Sequence, residues 1–360
     1  MVDGHRVAWY EKRVRALVKY APGPGNIELR EVSRPDPGPG EVLIDVAYAG
    51  VCGTDRAALD GRYGGLIPRT LGHEASGVIA ALGSGIRGDL SVGDRVTFET
   101  DAYLCGTCLY CRAEQYQRCP YRKGIGTTAN GALADSLVMP ELAVHRLPDG
   151  VSLLAAALTE PLSIAVHAVI ERSPSLAGEV VLITGPGAIG ALTSAVATGV
   201  GATTVLIGRS RHAAALADAL ERGIARHVVD VDTADLADYV NGLTDGYGAA
   251  TAFECSAANS WPSDLQPLLR RGGRLVLVAL YHGEVGVDFD LLVNRELELI
   301  GSRGKNAQSY RTALRLLADG RIDAESFISE VLPLEDWQSG LELVGRGRKV
   351  VFEVGGSSLG

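Results

Sequence analysis

Cys105, Cys108, Cys111 and Cys119 stand in the spacing C-x2-C-x2-C-x7-C. Four thiolates on one short loop can close a tetrahedral shell around Zn2+ and leave no position for a substrate, so the set reads as a structural metal site. Its metal would order the lobe 101–122, which has no core of its own. Two disulfides are the competing use of four cysteines. The first dozen residues, MVDGHRVAWYEK, lack the apolar stretch of a secretory signal. The expected compartment is therefore the reducing cytoplasm, where zinc is the better reading.

A second set is dispersed: Cys52 in GVCGTD, His73-Glu74 in LGHE, and Glu160 in TEPLS. Taken singly each is ordinary, because a lone Cys or His is often a satisfied core residue. Together they offer a soft thiolate, an imidazole and carboxylates, a donor set that suits Zn2+ while leaving one position open. An open position on zinc polarises an alcohol oxygen and lowers its pKa, as it does for bound water. The alkoxide can then release hydride to a nicotinamide.

A nucleotide turn completes that chemistry. Gly185, Gly187 and Gly190 form G-x-G-x-x-G, directly after the apolar run VVLIT and directly before a small-residue helix that opens with Ala188 and Ile189. The first glycine permits the tight turn, the second admits a pyrophosphate, and the third lets helix pack on strand. Free N–H groups at the helix start suit the phosphates. About 20 residues past the turn, an acid would accept from the ribose 2′-OH of NAD. That slot falls in LIGRSRH, where Arg209, Ser210 and Arg211 stand instead. Two arginines and a serine can donate to a 2′-phosphate, so NADP is expected over NAD. A merely solvated basic turn is the alternative.

These residues need elements to hold them. From Val14 to Ser136 short β-like runs such as EVLIDVAYAGV are punctuated by Gly and Pro, with RPDPGPGE (34–41) a loop, and read as an antiparallel, barrel-like region. Residues 152–171 are helix-rich, with a helix boundary expected at Glu160-Pro161. Buried parallel-type strands follow, VVLIT, TTVLIG, HVVD, GAATAFECSA and GGRLVLVALY, and ELELIGSRG (296–304) gives a last strand. An amphipathic helix over 307–322 places Tyr310, Ala313, Leu314 and Leu317 on one face, and KVVFEV ends the pattern as a strand. The fold class is α/β: a β-rich domain, an inserted doubly wound domain, and a return to the first. With 360 residues two domains are expected, and 46% apolar residues suffice for their cores. A net charge of −9 argues against nucleic acid or an anionic membrane as partner, and no apolar run is long enough to span a bilayer.

In chain order, GVCGTD, GHEASGVI, GDRV, the four-cysteine lobe, EPLSIAVHA, GPGAIG and FECSA occur as they do in the zinc-dependent medium-chain dehydrogenases/reductases, which this sequence resembles from about Val14 to Val354. EPLSIAVHA looks closer to the sorbitol (polyol) dehydrogenase branch than to the alcohol dehydrogenases that carry cysteine at the position of Glu160. The resemblance implies a GroES-like catalytic domain, 14–160 and 296–360, and a Rossmann domain, 161–295. It implies two zinc ions per chain. Cys52, His73 and Glu74 match the catalytic-zinc residues, and Glu160 the further carboxylate of the polyol branch. Thr54 matches the hydroxyl that passes the substrate proton onward. The four lobe cysteines match the structural-zinc ligands. Gly185, Gly187 and Gly190 match the pyrophosphate turn, and Arg209 falls in the slot of the NAD-selecting Asp.

Three features depart from that pattern. Ala57 stands where many members carry a relay His, the ribose-binding acid is absent, and residues 1–13 have no counterpart and are expected to be an extension. The expected activity is reversible oxidation of a secondary alcohol in a polyol, sugar or cyclitol with NADP+. The segment LDGRYGGLIP (59–68) is the expected substrate loop, with Tyr63 and Glu99 as hydroxyl contacts. Competing readings are a threonine-dehydrogenase-like or general alcohol dehydrogenase using NAD, and a catalytically silent nucleotide-binding protein. The second conflicts with retention of Cys52, His73 and Glu74. A homodimer or homotetramer joined at the nucleotide domain's sheet edge is expected from the resemblance.

Overall fold

The computed structural model describes residues 12–281 and 283–355. Of the extension expected at 1–13, residues 1–11 lie outside the described residues, and Arg13 opens the first strand, Arg13–Lys19.

Six parallel strands form one sheet in the order His227–Asp230, Thr203–Gly208, Val180–Thr184, Ala249–Glu254, Leu269–Leu277, Glu298–Gly301. This is the doubly wound order of two mononucleotide-binding halves. The central strands Val180–Thr184, Thr203–Gly208 and Ala249–Glu254 are largely apolar and buried, as strands covered on both faces tend to be. Alternation then splits them between two cores. Ile183, Leu206, Phe253 and Val276 join one, while Leu182, Val205, Ala252 and Leu275 join the other. The sheet extends beyond the boundary expected at residue 295, because Leu275 pairs with Leu299 in the sixth strand. That four-residue edge strand is mostly exposed, so its residues carry no burial pattern that would assign it to a sheet.

The second domain is built on a seven-stranded sheet around Glu41–Gly50, which pairs antiparallel with Glu74–Leu82 and Ser136–Pro140. Bulges near Leu43/Ile44 and Val46/Tyr48 bend this long strand. The chain returns as expected: Val350–Glu353 pairs antiparallel with Tyr48, Ala49 and Gly50. Ile44, Ile79, Phe98 and Phe352 lie in its core.

Two helices join the domains. Thr159–Val166 carries Pro161 within its first turn, where a missing N–H costs no helical bond, so the proline sits near the helix start without breaking it. The helix Ala307–Ala318 buries Tyr310, Ala313, Leu314 and Leu317 as expected. It stops short of residue 322, with Asp319 as its cap and Gly320 beyond it at φ +63°. Tyr310 donates to the Phe98 carbonyl at 2.7 Å, fastening this helix to the barrel. Among the described residues no helix is long and apolar enough to cross a membrane.

Candidate active site

The residues expected to hold the catalytic metal sit where strands of the barrel end. Cys52 follows the strand Glu41–Gly50 and caps the helix Gly53–Leu59, while Glu74 opens the strand that pairs with Gly50. Donor atoms of Cys52, His73 and Glu74 all lie within 4.8 Å of one another. Glu160 is not part of that trio, but it lines the same cleft as His73 and Thr54. Burial opposes a charge on His73, yet Cys52, Asp55 and Glu160 push its imidazole well above its ordinary value. Such surroundings favour an added positive charge, which is what a cation site requires. Burial, with Glu74 nearby, raises the Glu160 carboxyl in its turn.

Two residues hold this arrangement in place, and neither had been assigned a role. Asp55 is buried and accepts from the Cys52 N–H at 3.1 Å and the Gly72 N–H at 3.0 Å, so one carboxylate ties both ligand-bearing loops together. Its place three residues after Cys52 was the available signal. Lys349, next to the returning strand, is buried and forms an ion pair with Glu74. No local pattern reveals that partnership, which spans most of the chain.

Thr54 projects toward a cleft of about 180 Å³, and its hydroxyl is buried without a hydrogen-bond partner. A buried orphan hydroxyl beside a thiolate–imidazole–carboxylate set fits a site completed by zinc and an alcohol. Tyr63 also lines the cleft, as expected. Glu99 does not. It is fully buried, with His145 at 2.9 Å on one oxygen and Lys305 at 2.6 Å on the other. Lys305 also reaches Asp101 at 2.8 Å, and Asp101 is paired with Arg122. Burial works against both carboxylates, but Lys305 holds Glu99 and Asp101 below the usual range. The expected substrate contact is thus a structural ion, and the sequence offered no sign of Lys305 across some two hundred residues.

The four lobe cysteines converge. The Cys105 sulfur lies 3.8 Å from that of Cys111 and 3.7 Å from that of Cys119. A tetrahedron with Zn–S near 2.3 Å has edges of about 3.8 Å (2.3 × 1.63), so the spacing fits zinc and is far too long for a disulfide. Backbone N–H groups of Thr107 and Cys108 draw the Cys105 thiol down to about 6, whereas burial among neighbouring thiols pushes Cys111 up to about 12. The sulfur geometry of the cluster fits a structural zinc.

At the carboxyl edge of the parallel sheet, Gly185 adopts φ +83°, and a side chain there would meet Ser256. A methyl at Gly190 would fall 1.8 Å from the Gly185 carbonyl, so this position demands close packing of helix on strand. Around Gly187 there is open space, with the N–H groups of the helix Ala188–Gly199 behind it. Glu254 stabilises the crevice floor, accepting from Thr184 at 3.1 Å, the Ser256 N–H at 2.8 Å and Tyr281 at 2.5 Å. In the basic corner the Arg209 guanidinium lies 3.1 Å from Asp232, and the Ser210 hydroxyl donates to Asp230 at 2.7 Å.

Two family profiles match the chain: an alcohol dehydrogenase GroES-like domain over residues 38–149 and a zinc-binding dehydrogenase over 188–319. Across 341 residues the chain is 37% identical to a D-arabitol-phosphate dehydrogenase of Enterococcus avium, with 94% of this chain and 96% of that one covered. The chain belongs to the zinc-dependent medium-chain dehydrogenases/reductases. It is also 36% identical to a sorbitol dehydrogenase of Halalkalibacterium halodurans, over 94% and 98% of the two chains. A zinc-binding dehydrogenase of Sinorhizobium meliloti bound to NADP superposes with a TM-score of 0.87 at 29% identity, covering 95% and 99%. The dehydrogenase is thus an NAD(P)-dependent oxidoreductase of small-molecule alcohols and ketones.

Proposed function

We propose that this dehydrogenase interconverts a secondary alcohol within a polyol, sugar or cyclitol and the matching ketone, with NADP+ as the nucleotide. The buried, unpartnered hydroxyl of Thr54, in a cleft shared with His73 and Glu160, carries the reading. Zinc held by Cys52, His73, Glu74 and Glu160 would supply Lewis acidity toward a substrate hydroxyl, and a nicotinamide nucleotide would supply the hydride acceptor. Thr54 Oγ accepts the hydroxyl proton. Asp55 keeps the Cys52 and His73 loops in register, and Lys349 fixes the Glu74 carboxylate in place through their buried ion pair. Holding alcohol and nucleotide between two domains provides the proximity part of catalysis. Because Ala57 occupies the relay position, the proton leaves Thr54 by water or another group.

Preference for NADP+ is supported by the half-exposed Arg209 guanidinium and by the lack of an acid at the end of the strand that precedes it, Thr203–Gly208. One observation favours NAD+ instead: Asp230, the last residue of the neighbouring strand, and Asp232, just beyond it, already engage Ser210 and Arg209 and could meet a ribose hydroxyl. A panel of polyols, sugars and cyclitols assayed separately with NAD+ and NADP+ tests both parts. The reading expects turnover of at least one polyhydroxylated member, with kcat/KM higher for NADP+. Turnover confined to simple alcohols would overturn the substrate reading, and a clear NAD+ preference the nucleotide one.

A further inference from the structure

The cleft draws its walls from three places. Thr54, His73 and Glu160 come from the metal centre, Gln117 and Arg122 from the cysteine lobe, and Arg303 and Lys305 from the segment following the last parallel strand. Lobe and segment meet closely, since a side chain built at Gly304 would find Gln117 Cβ at 3.6 Å.

Its charges do not balance. Lys305 is matched by Glu99 and Asp101. Arg122 spends Nε on Asp101 and Nη2 on Thr100, at 2.5 Å from the hydroxyl. Its Nη1 has no hydrogen bond among the described residues. Arg303 makes neither a hydrogen bond nor an ion pair among them. With the remaining cleft carboxylate, Glu160, set aside for the metal centre, three cations, Lys305, Arg122 and Arg303, stand beside two carboxylates, Glu99 and Asp101, and the unused N–H groups lie on guanidiniums that line the cleft. Beside them Gln117 Oε1 is buried with no donor. Guanidiniums with unused N–H groups match the oxygens of a phosphate or carboxylate, and an orphan amide oxygen matches a hydroxyl donor.

We propose that the cleft takes a polyhydroxylated substrate carrying an anionic group, phosphate or carboxylate, which Arg303 and Arg122 receive while Gln117 accepts from a hydroxyl. The proposal rests on the polyol reading above. It makes the lobe that carries the four cysteines a wall of the substrate site as well as a scaffold.

The test uses the zinc-loaded enzyme with saturating nucleotide and three matched sets: pentitols and hexitols, their terminal phosphates, and the corresponding aldonates. At least one anionic set is expected to exceed its neutral parent tenfold or more in kcat/KM, with the excess shrinking as salt rises. Comparing phosphates with aldonates identifies which anion is taken. Arg303→Gln should raise KM for the anionic set at least tenfold more than for the neutral one, and Arg303→Lys should recover part of the difference. Equal or better use of the neutral polyols, with Arg303→Gln acting equally on both, would overturn the proposal while leaving the polyol reading intact. Turnover of no member with either nucleotide would overturn both.

Discussion

Thr54 is the residue on which the proton chemistry turns. Its hydroxyl is buried and unpartnered, so its removal leaves the fold's own hydrogen bonds intact. Thr54→Val should lower kcat about 10²-fold or more, with Thr54→Ser recovering most of it, as steady-state kinetics would show. Asp55 acts through others. Asp55→Asn puts an amide where two N–H donors point, and should weaken zinc retention at Cys52 and His73 by about 10–100-fold in competition with a chelator. In the nucleotide corner, Arg209→Asp should cut the NADP+/NAD+ ratio of kcat/KM by about 10–100-fold, the worth of one lost charge-assisted hydrogen bond, with Arg211→Ala a smaller step in the same direction. An unchanged ratio in both variants would make the corner a solvated turn. Metal ligands and the glycine turn were legible in the sequence because their chemistry resides in residue type and spacing. Asp55, Lys349, Lys305 and Gln117 were not, since their roles depend on partners that only folding supplies. Glu99 shows the same limit from the other side: its type suited a hydroxyl contact, but its two neighbours consume both oxygens.

Among the elements, the buried network behind the cleft joins the barrel to the segment after the last parallel strand. Lys305→Met would leave Glu99 and Asp101 buried without their cation, and should cost about 3–5 kcal/mol in denaturant unfolding. The pH dependence has a fixed sign. Both carboxyls sit below their ordinary values when folded, so their stabilisation is full above roughly pH 4 and is lost as pH falls through the lower folded values. Acid unfolding of the wild type should therefore steepen below that point, and Lys305→Met should flatten it. The helix Ala307–Ala318 was readable from its apolar spacing, but its end was not, since the spacing carried it to residue 322 and Gly320 closes it earlier. The strand Glu298–Gly301 was harder to place, because an exposed edge strand lacks the buried alternation that assigns strands to sheets.

For the whole molecule, a doubly wound parallel sheet and the return of Val350–Glu353 to the barrel were already implied by the succession of patterns along the chain, while the order of the strands came only with the fold. How the two domains meet was not, and that junction holds the cleft. Among the described residues no strand pairs with the outer edge of Glu298–Gly301, and the helix Phe289–Asn294 that precedes it exposes Phe289 at 68% and Val293 at 70%. The expected homodimer or homotetramer would cover such an edge. Phe289→Asp should then shift the molecular mass in solution toward the monomer.

The central claim is that Cys52, His73, Glu74 and Glu160 form an open zinc site at which an alcohol is oxidised. Zinc content and NADP+-dependent polyol oxidation, measured together on the wild type and on Cys52→Ser purified without chelator, test it most directly. The wild type should hold about two zinc ions per chain, and Cys52→Ser about one, with the thermal transition kept and turnover lost. A wild type that is active with one zinc, or a Cys52→Ser variant that keeps full turnover, would contradict the account.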